Sequence, residues 1–186
     1  MNKIGYEGNR NMKKFLKEVL STSIYLLVVL MLTFLIVKYV AVRIEVNGPS
    51  METTLYNQDN LIMQKFSYHF TDPERFDVIV FPFKHGERIY YIKRVIGLPG
   101  ETIQIDSDGT IYINGEILEE NYGKEVITNP GLASEPIHLR SNEYFVLGDN
   151  RNNSSDSRDP SVGNIYRDDI IGKAWFRIYP NFEVIK

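Results

Sequence analysis

The first break in the pattern of polar and apolar positions comes at Val19. From there to Val37 the chain runs 19 residues without a charge, mostly Leu, Val, Ile and Phe, with Ser21, Thr22, Ser23 and Thr33 as the polar exceptions. A helix of that length spans roughly 28 Å at 1.5 Å per residue, against a bilayer core of about 30 Å. A buried soluble helix carries a polar stripe; this one is apolar around its whole circumference. A cleavable leader has a shorter apolar stretch, about 7–15 residues, followed by small residues at the cut. The exit here, Lys38-Tyr39-Val40-Ala41-Val42-Arg43, offers no small-x-small pair. The pattern predicts an uncleaved transmembrane anchor over residues 19–42.

Beyond the anchor the period changes from helical to two. Arg43-Ile44-Glu45-Val46 alternates as a half-buried strand does and leads into the turn Asn47-Gly48-Pro49-Ser50. Asn60–Phe66 reads as a second strand, and Phe76–Phe81 as a third that Pro82 ends. Arg88–Ile96 reads as a fourth, with Tyr91, Lys93 and Val95 on one face. Short strands at 102–105, 110–113 and 116–118 are joined at Asp108-Gly109 and Asn114-Gly115, both strong hairpin signals. Residues 119–141 are richer in turn formers, and a loop-rich lobe is placed at about 106–141. A strand returns at Glu143–Leu147 and opens into the polar run Gly148–Arg158, whose composition is that of a solvated loop and not of a core. Ile170–Ile178 supplies a closing strand. The fold class predicted is mainly β: an antiparallel β-sheet body over 43–186 with a small β-rich inserted lobe, preceded by a basic tail (1–18) and one transmembrane helix.

Charge adds orientation. Residues 1–18 carry five basic and two acidic side chains, or +3, whereas residues 39–186 carry 15 basic and 22 acidic, or -7. Lys/Arg before an apolar span is retained in the cytoplasm. The expectation is a single-pass protein of the cell membrane, N-terminus cytoplasmic and body extracytoplasmic, with Ser50 working close to the lipid. An acidic body has no electrostatic footprint for nucleic acid. There is no cysteine, and His69, His85 and His138 form no ligand-spaced pair, so neither a metal site nor a cofactor is expected.

Taken singly, the candidate chemical groups are ambiguous. A Gly-Pro-Ser run is usually a turn, and a lysine on a strand commonly guards a sheet edge. Together, Ser50-Met51, then Lys93-Arg94-Val95-Ile96-Gly97-Leu98-Pro99-Gly100-Glu101, then Gly148-Asp149-Asn150 followed by Ser154, Asp156, Ser157 and Arg158 resemble the bacterial type I signal peptidases, in the Gram-positive manner. The order, the spacing and the anchor agree as well. The resemblance implies a serine endopeptidase that removes signal peptides from exported preproteins after small-x-small sites. It implies Ser50 as nucleophile, Lys93 as general base and Ser154 as the group that orients the amine. Arg94, Asp149, Asp156 and Arg158 are then structural, and Ile44, Val46, Met51, Leu55, Tyr91 and Ile92 line shallow substrate pockets. The implied partners are preproteins bearing signal peptides, the lipid bilayer and the secretion translocase.

The chemistry is coherent on its own terms. A serine hydroxyl needs a base, and an unperturbed lysine is neutral in only about one molecule in 2,500 at pH 7. Burial lowers that pKa by as much as ~3–5 pH units, and Lys93 stands among Ile92, Val95 and Ile96. Three departures from the family pattern stand out: Gly48 where some members carry a second serine, Thr53 where proline is common, and a longer connection at 159–163. A rival enzyme reading, a self-cleaving Ser–Lys protease of the repressor type, lacks a DNA-binding domain here. An archaeal or endoplasmic-reticulum-type peptidase would have histidine in place of Lys93. From another class, an inactive tethered β-domain that binds exported chains would leave Ser50 unreactive.

Overall fold

The computed structural model describes residues 3–39, 41–84, 86 and 89–185. His85 and Arg88 lie outside the described residues. The chain divides into two compact units, Met1–Val40 and Ala41–Lys186. The first is one helix, α1 (Lys3–Tyr39). No glycine or proline interrupts it from Arg10 to Tyr39, so helical backbone extends well upstream of the uncharged span. Within it Met12–Ile36 is long and apolar enough to cross a membrane, and its Leu, Ile and Phe side chains are exposed all round.

The second unit is built from twelve strands: β1 (Ala41–Glu45), β2 (Asn60–Gln64), β3 (Val78–Pro82), β4 (Tyr90–Gly97), β5 (Thr102–Ile105), β6 (Ile111–Ile113), β7 (Glu116–Ile117), β8 (Ile137–His138), β9 (Glu143–Leu147), β10 (Ile165–Tyr166), β11 (Gly172–Tyr179) and β12 (Glu183–Val184). The main sheet runs β1-β2-β11-β3-β4-β9-β10, with β12 paired to β11. Its ladders are antiparallel. The last long strand therefore lies in the middle of the sheet, between β2 and β3. Pro82 ends β3 as expected, as its last residue, opposite Tyr90, a terminal place where the missing N–H is tolerated.

β4 shows how the alternation is used. Val95 packs into one core cluster with Ile79, Phe81, Tyr144 and Val146, and Tyr91 borders it. Ile96 belongs to a second cluster, with Ile103, Leu139, Phe145 and Leu147. Ile92 borders a third, made of Val46, Met51, Leu55, Leu61, Val78 and Ala174. Each fully buried aliphatic side chain contributes about 1.5–3 kcal/mol, so register errors in β4 would cost all three clusters. The strand is also divided along its length. Tyr90–Arg94 pairs with β3, whereas β9 begins its pairing only at Arg94. β4 thus keeps one side open over its first half, but Lys93 is buried there, 3% exposed, and does not face solvent as an edge guard does.

The lobe is a four-stranded sheet, β7-β6-β5-β8. It starts at Thr102 and not near 106, because β5 belongs to it. Asn114 and Gly115 both have positive φ, 54° and 84°, as a tight two-residue hairpin turn demands. The second core cluster joins Ile103, Ile105 and Ile111 of the lobe to Ile96, Phe145 and Leu147 of the main sheet.

Candidate active site

β1 feeds the turn that carries Ser50. Gly48 sits at φ +98°, a conformation glycine adopts without strain, and its N–H donates to Asn57 Oδ1 at 2.9 Å. One residue past Ser50, Met51 is 1% exposed, and Leu55 is fully buried. The Leu55 N–H donates to the Met51 carbonyl at 2.8 Å. The serine is thus presented, half-buried, by neighbours locked into the core.

β4 brings the amine. Lys93 Nζ lies 2.8 Å from Ser50 Oγ and donates to the Ile92 carbonyl at 3.0 Å. The residue is 3% exposed, and the Tyr91 ring centroid stands 5.0 Å from Nζ. Burial pulls the Lys93 pKa down to about 8, while Asp156 and Asp149 act in the opposite direction. An amine near this value is a usable base close to neutrality.

The polar run 148–158 is solvated only at Asn152, Asn153 and Ser155. Asp149, Asp156 and Ser157 are fully buried, and Asn150, Arg151 and Arg158 nearly so. Composition alone suggested otherwise because the partners are distant in sequence. Arg94 forms a bidentate pair with Asp149, at 2.8 and 2.7 Å, and donates to the Phe76 carbonyl at 2.8 Å. Thr54 Oγ1 donates to the same carboxylate at 2.5 Å. Arg158 grips Asp156 through Nε and Nη2, both at 2.8 Å, and Asp156 Oδ2 accepts from the Gly148 N–H at 3.1 Å. Buried charges persist when paired and hydrogen-bonded in this way. The loop then holds the nucleophile turn directly: the Asn150 N–H donates to the Ser50 carbonyl at 3.1 Å, and Asn150 Nδ2 to the Pro49 carbonyl at 3.1 Å.

Ser154 is placed differently from its expected role. Its Oγ is buried without a hydrogen-bond partner, and the amine of Lys93 is bonded to Ser50 and Ile92 instead. The hydroxyl lies against Gly148, where an added Cβ would stand 2.2 Å from Ser154 Oγ and 2.5 Å from the Ser50 carbonyl oxygen. Further along, the 159–163 connection is a tight turn: the N–H groups of Val162 and Gly163 donate to the Asp159 carbonyl at 3.0 and 2.9 Å.

Two adjoining cavities open beside the serine. One, of about 240 Å³, is lined by Val46, Ser50, Met51, Tyr91, Ile92 and Lys93 among others. The next, of about 740 Å³, is lined by Ile44, Met63, Val80, Tyr91 and Ile92 among others. Leu55 is the exception among the expected pocket residues: it lines a separate cavity with Thr54, Tyr122 and Arg177. Among the described residues no group of His, Asp and Glu is arranged to hold a metal ion. Sequence reasoning missed Thr54, Asn150 and the Arg151–Glu120 pair, 2.7 Å apart. Asn150 and Arg151 stand inside a recognised motif, whereas Glu120 lies in a stretch without periodicity.

A serine hydroxyl thus stands 2.8 Å from a buried amine, beside an open cavity on an antiparallel sheet. The profile of the family described as signal peptidase, peptidase S26, matches residues 16–179, and the chain belongs to that family as an enzyme of the signal peptidase I type. It is 42% identical over 149 residues to a signal peptidase I of Leptolyngbya laminosa, covering 76% of this chain and 70% of the relative. Signal peptidase I S of Bacillus subtilis (strain 168) is 32% identical over 178 residues, 91% of this chain and 94% of the relative. A relative from Synechocystis sp. is 38% identical over 147 residues, and there the match spans 65% of the relative's length. A solved signal peptidase I from Enterococcus faecalis V583 shares 36% identity with a TM-score of 0.46, covering 55% of this chain and 97% of that one.

Proposed function

We propose that this protein is a membrane-anchored serine endopeptidase that removes signal peptides from exported preproteins, with Ser50 as nucleophile and Lys93 as general base. The observation that carries the reading is the 2.8 Å approach of Lys93 Nζ to Ser50 Oγ, made by an amine whose charged form is disfavoured by burial. Neutral Lys93 takes the hydroxyl proton as Oγ attacks the scissile carbonyl. The resulting ammonium gives that proton to the departing amine, which leaves an ester on Ser50. The Lys93 amine, neutral again, takes a proton from a water as that water attacks the ester, then returns it to the departing Ser50 Oγ, which frees the signal peptide's new carboxylate. With glycine at position 48, the donor for the tetrahedral oxyanion is the Ser50 backbone N–H. Arg94, Asp149, Asp156 and Arg158 hold the loop and exchange no protons.

Substrate enters as an extended strand. β1 is the outermost strand of the sheet, and Tyr90–Lys93 lacks a partner on the side where β9 has not begun. A chain laid between these two edges satisfies its backbone as an added strand does. Alternate side chains then fall beside Val46 and Met51 and beside Ile44, the two places at which a small-x-small site would present its small residues. The basic tail puts the N-terminus in the cytoplasm and the body outside. From Tyr39 to Ser50 the chain reaches at most roughly 40 Å. The enzyme and the apolar helix of its substrate thus share one bilayer, which raises their effective concentration; the translocase delivers the preprotein there.

The test is cleavage of a purified preprotein with an Ala-x-Ala site, in detergent, by wild type, Ser50→Ala and Lys93→Ala. Cleavage by wild type alone is expected. Near-normal activity in Lys93→Ala would put the base elsewhere, and an inert wild type would favour a binding module.

A further inference from the structure

Residues 118–130 form neither helix nor strand, yet they are tied at almost every second residue to the segments that carry the site. Glu120 Oε1 accepts from Arg151 Nη1 at 2.7 Å, with side-chain exposures of 11% and 3%. Burial works against the Glu120 carboxylate, but the Arg151 guanidinium, with the backbone N–H groups of Tyr122 and Gly123, more than offsets it and lowers its pKa. The Tyr122 ring stacks 3.7 Å from the Arg94 guanidinium carbon. The Lys124 N–H donates to the Asp149 carbonyl at 2.8 Å, and its amine reaches Glu52, two residues past Ser50, at 2.9 Å. Asn152 Nδ2 donates to the Val126 carbonyl and its Oδ1 accepts from Thr128, each at 2.9 Å.

Two routes lead from this segment to the nucleophile. In one, Glu120 fixes Arg151, and Arg151 Nε donates to the Gly148 carbonyl at 3.2 Å. That anchors the stretch from which Asn150 holds the Ser50 and Pro49 carbonyls. In the other, Lys124 holds the carboxylate of Glu52 within the nucleophile turn itself. Neither Glu120 nor Lys124 lines the two cavities beside Ser50, so their action does not pass through substrate contact. We propose that residues 118–130 are a clamp on the catalytic turn, with Glu120, acting through Arg151, and Lys124, acting through Glu52, as its positioning residues. This rests on the peptidase reading, because its main readout is turnover.

The experiment uses the full chain in detergent with Glu120→Gln, Lys124→Glu, Glu52→Lys and the double reversal Glu52→Lys/Lys124→Glu. Cleavage of the Ala-x-Ala preprotein is resolved into kcat and KM, beside thermal unfolding and hydrogen exchange of the 49–55 and 148–153 peptides. For the single variants kcat should fall about tenfold to a hundredfold, as expected when a reacting group is misplaced by an ångström or less. KM should stay within about twofold, because β1 and β4 are untouched. The double reversal should regain most of the lost kcat, and exchange at 49–55 and 148–153 should quicken in Glu120→Gln. The clamp is overturned if kcat stays within about twofold of wild type, if the loss merely tracks the unfolded fraction, or if the double reversal is as poor as either single change. Exchange is read whether or not the wild type cleaves: unchanged exchange sinks the clamp, while quickened exchange with an inert wild type sinks only the peptidase reading.

Discussion

Replacing Lys93 by methionine should remove activity and, at neutral pH, make the protein more stable. The fall of the amine from 10.5 to about 8 on folding corresponds to about 3 kcal/mol at 1.36 kcal/mol per pH unit. The folded-state value lies below the unfolded one. Below about pH 8 both states are protonated and the full penalty for burying an ammonium is present. Between about 8 and 10.5 the unfolded chain binds more protons, so wild-type stability rises with pH and the penalty disappears. Methionine fills a similar volume without charge but forfeits the bonds to Ser50 Oγ and the Ile92 carbonyl, each about 1 kcal/mol. The variant should therefore lead by about 1 kcal/mol at pH 7 and trail by about 2 kcal/mol near pH 10.5. Urea unfolding followed by the fluorescence of Trp175, the single tryptophan, measures this in the full chain. Because Trp175 sits on β11, it reports the closing of the sheet. A stability difference that stays flat from pH 7 to 10 would refute the buried-amine account.

The same value predicts that kcat/KM climbs with pH up to about 8 and then levels; a profile falling over that range would remove Lys93 as base. Arg94→Met strands the Asp149 carboxylate in a fully buried place and should cost about 3–5 kcal/mol, much of it recovered in Arg94→Met/Asp149→Leu; equal losses in single and double variants would contradict the pairing. Gly148→Ala drives a methyl into the Ser50 carbonyl, which backbone cannot yield cheaply, so turnover should collapse while the cavities beside Ile44 stay intact; wild-type kcat in that variant would be the opposing result. Ile44→Ala enlarges the second cavity and should improve cleavage of a preprotein with leucine three residues before the cut by about tenfold, measured as the ratio of kcat/KM for leucine and alanine substrates.

Local features of the fold could be read directly. A charge-free span announced the anchor, Asn114-Gly115 announced its turn, and period-two alternation found β1 to β4 within a few residues. Ser50 and Lys93 were visible as members of a motif set, although nothing local distinguished a base from an edge guard at Lys93. That distinction rests on the burial of Lys93 beside Ser50, 43 residues away in sequence. The burial of 148–158 escaped for the same reason: Asp149 meets a partner 55 residues earlier, and composition averages over neighbours in sequence and not in space. Glu120 gave no signal because irregular segments carry no period. Leu55 was assigned to a substrate pocket through its place in the motif, whereas its side chain serves the core under the turn.

The position of β11 has a bearing on how the enzyme comes into being. As a chain is made or threaded from its N-terminus, β1-β2 and β3-β4-β9-β10 can form as two separate half-sheets. The serine belongs to the first and the lysine to the second. Among the described residues only the strand at Gly172–Tyr179 has ladders to both, through β2 and β3. A chain that stops short of this strand therefore lacks the ladders that join the two half-sheets.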